Sequence, residues 1–336
     1  MQPHELQQLC KYYDYCPQFY NKHFQSIFEF IQGNPNATRL DVIKFSESND
    51  IPTQACLWRM TIDARRLVNI DYNKVPKEYA ETEIHTLEDG DVSRMTWREF
   101  THKRTLVLSD IHFPYHDKEA LMIALRKGKE EGIDAILLNG DIIDFYQLSK
   151  FAKDHRKPSV REELDIFRFF IDQLKQRFPE AEIYYKLGNH EVRLERWIQT
   201  NAQMFDGLLD IDSLVQFRDH DVNYLKDNIG VKIGKLHVIH GHEVRASMGV
   251  VNIARTYYLK TGVNLLFGHW HQQQEYITRS MDGVNSGAWA QGCLCKLDAE
   301  YTYGINQWVH GFSIVELMDG GQFRVKLYKI INGEIV

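Results

Sequence analysis

From about residue 102 onward, short runs of apolar, largely branched or aromatic residues alternate with amphipathic stretches. That alternation predicts an α/β domain, because compact apolar runs suit buried strands and spacing by threes and fours suits helices laid over them. Thr105-Leu106-Val107-Leu108 reads as a strand, 118–130 as a helix, and Ala135-Ile136-Leu137-Leu138 as the next strand. Leu164, Phe167, Ile171, Leu174 and Phe178 recur at helical spacing up to Pro179, and Ile183-Tyr184-Tyr185-Lys186-Leu187 supplies a third strand. After a helix near 191–199, Val231-Lys232-Ile233 and Leu236-His237-Val238-Ile239 flank Gly234-Lys235, a two-residue hairpin signal. A helix over 246–260 and a strand over 263–267 follow, and the remainder is mostly strands separated by Asp-Gly, Gly-Gly and Asn-Gly turns.

The first part of the chain has a different pattern. Residues 1–72 are helical in spacing and rich in Tyr and Phe, 73–101 form an acidic, weakly periodic linker, and 102–336 make the α/β domain. Within the helical part, 38–48 and 53–68 are two helices joined across Asn49-Asp50-Ile51-Pro52, with Thr53 as N-cap, an arrangement that looks like a helix-turn-helix. Arg59, Arg65 and Arg66 lie on its second helix and are the candidate contacts to nucleic acid. Against this, eleven basic and fifteen acidic residues in 1–100 leave that region at −4, so a packing or dimerisation module explains the same helices equally well.

Composition narrows the class. The 336 residues are 43% hydrophobic, ample for a packed core, and no apolar run approaches the eighteen or so residues of a membrane span. The N-terminus MQPHELQQLC lacks a basic segment followed by an apolar run, so a cytoplasmic location is expected. Five cysteines, odd in number and irregularly spaced, argue against a disulfide framework. A formal charge of −6 offers no global field for nucleic acid. Fifteen histidines matter more, because several stand beside Asp, Asn and Gly.

Each of those clusters sits where a predicted strand ends, the place where ligand sites gather in α/β sheets. They are Asp110-Ile111-His112, Gly140-Asp141-Ile142-Ile143-Asp144, Gly188-Asn189-His190-Glu191, His240-Gly241-His242 and Gly268-His269-Trp270-His271. Singly, each is more often a turn with a satisfied polar residue. Five in order, all rich in metal-ligand types, point to a metal site, and mixed carboxylate, imidazole and amide donors suit Mn²⁺, Fe or Zn²⁺.

In these blocks the chain resembles the calcineurin-like metallophosphoesterase superfamily, whose motifs run D-x-H, G-D-x-x-D, G-N-H-[DE], H and G-H-x-H. The resemblance covers about 104–271 and implies a sandwich of two mixed β-sheets flanked by helices, preceded here by the small helical domain. It implies two divalent ions, Mn²⁺ or else Fe or Zn²⁺: one held by Asp110, His112, Asp141 and His271, the other by Asp141, Asn189, His240 and His269, with Asp141 bridging. A hydroxide shared by the ions would then attack phosphorus. His190 would meet the leaving-group oxygen, and Asp144 would orient it or simply cap the next segment. Arg193 and Arg196, three and six residues further on, are candidates for holding substrate phosphate or for ion pairs with Glu191 or Glu195. His242 and Glu243 read as supporting groups, and Trp270 as packing or a cleft wall.

The block G-D-I-I-D-F-Y departs from the G-D-x-V-D-R-G of serine/threonine protein phosphatases, which puts that activity in doubt. The stretch 292–312 resembles calcineurin-like phosphoesterases of phage and prophage genomes. The leading expectation is a phosphodiesterase or nuclease acting on DNA or RNA. A phosphomonoesterase or cyclic-nucleotide phosphodiesterase is the alternative, and a DNA-binding protein with a vestigial phosphoesterase domain is the third.

Overall fold

The computed structural model describes residues 2–53, 55–71, 95–150, 153–154, 156–226, 229–247, 249–298 and 306–336. They belong to two compact units, 1–92 and 93–336.

The first unit holds α1 (Pro3–Leu9), α2 (Pro17–Gly33), α3 (Arg39–Ser48) and α4 (Ala55–Asp71). Thr38 caps α3 through a reciprocal box with Asp41. The unit's core is Tyr20, Phe24, Ile27 and Ile31 of α2 against Leu57, Met60 and Ala64 of α4. At its centre the buried Asp63 carboxylate accepts from the amides of Lys11 and Tyr12 and from the Tyr20 hydroxyl at 2.7–3.0 Å.

The second unit is built on two mixed sheets. One runs β13-β12-β11-β2-β3-β4-β5, where β2 is Arg104–Leu108, β3 Ala135–Asn139, β4 Glu182–Lys186, β5 Val222–Leu225, β11 His310–Leu317, β12 Phe323–Ile331 and β13 Glu334–Ile335. The other runs β1-β6-β7-β8-β10-β9, where β1 is Thr96–Phe100, β6 Ile229–Ile233, β7 Leu236–Val238, β8 Asn264–Phe267, β9 Gln274–Arg279 and β10 Asn285–Ala290. The sheets pack through Val107, Leu137 and Tyr184 from the first and Val231, Val238 and Leu266 from the second. Alternate residues Leu106, Leu108, Ile136, Leu138, Ile183 and Tyr185 face α5 (Lys118–Glu131) and α6 (Val160–Arg177). Both faces of the central strands are therefore covered, which is why they read as unbroken apolar runs. Over the second sheet, Leu265 and Phe267 pack with Ile253, Ala254 and Tyr257 of α9 (Ile253–Thr261).

Two expected boundaries moved. Residues 96–100, placed in the linker, form β1 and pair in parallel with β6 from Thr96↔Ile229 to Phe100↔Ile233; only Phe100 is buried, so the strand carries almost no apolar signal. Residues 73–94 of the linker lie outside the described residues. The helix expected over 246–260 begins only at Ile253, where Asn252 caps it by accepting from the Arg255 amide. Two further helices, α7 (Val192–Asn201) and α8 (Ile211–Val215), complete the described part of the unit.

Candidate metal centre

Loops leaving β2, β3, β4, β7 and β8 carry the five sequence clusters to one place. The first two are zipped together: Asp110 N–H donates to Gly140 O, His112 N–H to Asp141 O, and Phe113 N–H to Ile142 O at 2.7–3.1 Å. Asp110, His112, Asp141, His269 and His271 all have φ between 52° and 67°. Left-handed backbone is costly for non-glycine residues and persists where surroundings over-determine it, a recurrent feature of functional sites. The glycines in the blocks answer to close approach: a Cβ on Gly188 would lie 2.2 Å from Asp141 Oδ1, and one on Gly268 2.4 Å from Asp110 Oδ2.

The imidazoles are held from behind. His112 Nδ1 is 2.9 Å from Asp144 Oδ1 and His240 Nδ1 is 2.9 Å from Asn139 O, which turns both Nε2 atoms inward. There His112 Nε2 lies 3.3 Å from His271 Nε2, His271 Nε2 lies 3.1 Å from Asp110 Oδ1, and His240 Nε2 lies 3.3 Å from Asp141 Oδ2. Burial opposes charge on Asp110, yet His271 and His240 bring its carboxyl down to about 2. Burial also opposes protonation of His240, but Asp141 and Asp110 push it up to about 9. For His269, burial and the charge of His240 act together and take it down to about 4.

This donor set fits divalent cations. Asp110, His112 and Asp141 offer ligand atoms within 4.8 Å of one another, as do Asp141, His240 and His269, so Asp141 is common to both groups. Asn189 Oδ1 is buried with no hydrogen-bond partner among the described residues, and His240 Nε2, beside the Asp141 carboxylate at 3.3 Å, makes no well-aligned hydrogen bond. Buried polar atoms left unpaired are expensive, and a cation would satisfy both at once.

His190 stands beside this cluster. Its Nδ1 is 2.8 Å from Asp144 O and 3.2 Å from Asp144 Oδ1, and its Nε2 lies 2.8 Å from Arg193 Nη2. An arginine can only donate, so in this arrangement Nε2 is the acceptor and Nδ1 carries the proton. Burial opposes protonation of His190, but the charges of Asp141 and Asp144 raise its pKa overall. Arg193 also donates to Asp144 O at 3.0 Å, and Arg196 is exposed.

Several residues support the site, Glu191 of the G-N-H-[DE] block and Glu243 among them, and others have no signature in the sequence. Glu191 is buried and accepts from the amides of Asp141, Ile142, Ile143 and Gly188 and from the Tyr185 hydroxyl. Glu163 of α6 accepts from the amides of Phe145 and Tyr146, and Asn139 both anchors His240 and donates to Ile239 O. Most of their partners are backbone groups remote in sequence, which no local motif displays. Glu243 pairs with Lys186 at 2.6 Å and accepts from the His240 and Gly241 amides, whereas His242 lies beside it. Trp270 is packing: its indole donates to Tyr257 at 2.8 Å within the α9 cluster. Trp308 instead abuts His271, ring centroids 4.3 Å apart, and Cys295 Sγ lies 3.8 Å from His271 Nδ1.

A two-sheet α/β sandwich with carboxylates and imidazoles converging at its strand ends defines a metal-dependent hydrolase of phosphate esters. Residues 103–311 match the Calcineurin-like phosphoesterase family, and the chain belongs to it. It is 22% identical over 245 residues to the Gene 54 protein of Mycobacterium phage L5, covering 69% of this chain and 95% of that protein. To the Gene 54 protein of Mycobacterium phage D29 it is 25% identical over 248 residues, with the same two coverages. Among solved structures it is similar to the Yfce phosphoesterase from E. coli, at 13% identity and TM-score 0.32 over 69% of this chain and 96% of that one.

Proposed function

We propose that the protein is a phosphodiesterase acting on nucleic acid, with Asp110, His112, Asp141 and His271 holding one divalent ion and Asp141, Asn189, His240 and His269 the other. Two ions bound there, Mn²⁺ or else Fe or Zn²⁺, would supply a water-derived nucleophile near neutral pH and counter-charge for the phosphoryl oxygens. His190 serves the leaving oxygen. To donate from Nε2 it must be protonated there, which requires Arg193 to move off; phosphate is the group that would draw the guanidinium away, by bidentate pairing. Asp144 then balances the imidazolium charge at 3.2 Å. Arg196, exposed on the same helix, would extend the contact to a longer substrate.

The observation that carries the choice of nucleic acid is the attached helical unit with Arg59, Arg65 and Arg66 on α4, the last two exposed. The test compares bis-p-nitrophenyl phosphate, p-nitrophenyl phosphate, cyclic nucleotides and labelled single- and double-stranded DNA and RNA on metal-reconstituted protein. Turnover of diesters and polynucleotides above monoesters is expected. One observation favours a small-ester substrate: Arg65 and Arg66 already donate to the carbonyls of Ala37 and Leu9. Cleavage of monoesters or cyclic nucleotides with no action on polynucleotides would select it.

A further inference from the structure

Asp144 is the point on which His112, His190 and Arg193 converge, and the peptide that follows it is held in a particular way. Phe145 is fully buried and has φ 49° and ψ 45°, a left-handed conformation that a bulky L-residue rarely keeps unaided. The amides on either side of its Cα both point at one carboxylate: Phe145 N–H donates to Glu163 Oε2 at 2.7 Å and Tyr146 N–H to Glu163 Oε1 at 3.3 Å. Consecutive N–H groups around a left-handed residue form a concave nest for an anion, and here the fully buried Glu163 fills it from the first turn of α6.

The Phe145 N–H and the Asp144 C=O belong to one planar peptide and point in opposite directions. The carbonyl end of that peptide accepts from His190 Nδ1 at 2.8 Å and from Arg193 Nη1 at 3.0 Å. Fixing the amide end fixes the carbonyl end. A carbonyl accepts only, so its direction decides that His190 keeps its proton on Nδ1 when neutral and sets where Nε2 points. We propose that Glu163 is a positioning residue for His190, acting through the 144–145 peptide to set the direction and tautomer of the imidazole. The inference rests on the leaving-group role of His190 proposed above.

The test is a double-mutant cycle in the full-length, metal-reconstituted protein, with Glu163→Ala, His190→Ala and the pair, each assayed on a p-nitrophenyl diester and on an alkyl diester. Glu163→Ala should leave metal content unchanged and lower kcat on the alkyl ester by about 10–10²-fold, the scale of a catalytic group displaced by an ångström or of losing an outer support. The loss on the nitrophenyl ester, whose leaving group needs little protonation, should be smaller. In the His190→Ala background Glu163→Ala should cost less than about twofold, because groups acting as one unit are not additive. Equal losses in both backgrounds, equal losses on both esters, or loss of bound metal would overturn the proposal. Should Glu163→Ala fail to fold, Glu163→Gln keeps the length and one acceptor for Phe145 N–H. It should then retain most of the activity, with any loss confined to the alkyl ester and absent without His190, and any loss in the His190→Ala background again overturns it. If His190→Ala by itself costs nothing on either ester, the leaving-group reading fails and carries this inference with it; a normal His190 effect with an additive Glu163 effect sinks the inference alone.

Discussion

Asp141 carries more of the site than any other residue: its carboxylate is within 3.9 Å of imidazole nitrogens from His112, His190 and His240, and its Oδ1 accepts the His190 amide. An amide in its place removes the ligand charge and presents an NH₂ to a region already crowded with imidazoles. Asp141→Asn should therefore lower activity by more than the ~10–100-fold typical of an outer support, and metal analysis should show fewer than the roughly two ions per chain of the wild type. Full turnover by chelator-treated protein would end the metal-dependent account of this chain. For His190→Ala the expectation differs: both ions stay and kcat falls by about 10²–10⁴-fold, less on esters with good leaving groups. A variant that loses an ion would make His190 a ligand, in line with its nearness to His112 and Asp144. At this scale the ligand types are legible in the sequence because each follows an apolar run within a few residues. Glu163 is not, since an acidic residue early in a helix looks the same in sequence whether it is solvated or grips amides 17 and 18 positions away.

Elements reveal themselves according to how many of their faces are buried. Strands β2, β3 and β4 are covered on both sides and can be placed from sequence to within a residue, and the Gly234-Lys235 turn does join an antiparallel β6–β7 pair. Edge strand β1 and the irregular stretch before α9 have too little buried surface to leave a periodic trace. A different kind of support ties α5 to the edge of the first sheet. Glu131 accepts from Lys326 at 2.8 Å and from Tyr328 at 3.1 Å and pairs with Lys127 at 3.1 Å, and hydrogen bonds from Lys326 and Lys127 lower its pKa to about 2. A carboxylate whose pKa is depressed by folding adds stability above its unfolded value of about 4.3, and that stability drains away as pH falls toward the folded value. Glu131→Gln should thus be less stable than wild type at pH 7 by about 1 kcal/mol or less, after allowing for solvent at a partly exposed pair. The gap should close as pH drops from about 4 toward 2. Chemical denaturation at several pH values reads this directly, and a gap that widens on acidification would refute the assignment.

At the scale of the molecule, the open matter is what the helical unit adds to the phosphoesterase unit. The sequence pattern places Arg59, Arg65 and Arg66 on the second helix of a pair that looks like a helix-turn-helix. In the folded unit, Arg59 lies over the Tyr15 ring at 4.8 Å, and Arg65 and Arg66 donate to Ala37 O and Leu9 O, so all three also help to hold the helices together. Substitution by alanine would mix removal of charge with removal of those interactions. Glutamine removes the charge while keeping part of the stem and an NH₂ donor; that donor reaches less far than the guanidinium, but glutamine disturbs the packing less than alanine does. The triple Gln variant should lose less thermal stability than the triple Ala variant and keep its hydrolysis of a small chromogenic diester. Its DNA affinity should fall, and the salt dependence of binding should flatten by about one unit for each phosphate that an arginine no longer neutralises. Residues 93–336 alone should match it: folded, active on the small diester and weak on DNA, because that unit has its own sheets and core. If the truncated protein folds but loses the small diester too, the helical unit supports the active site itself. An unchanged affinity and salt slope in the triple variant would remove the arginines from nucleic-acid contact and leave α3 and α4 as a packing or dimerisation module, which the −4 charge of residues 1–100 already favours.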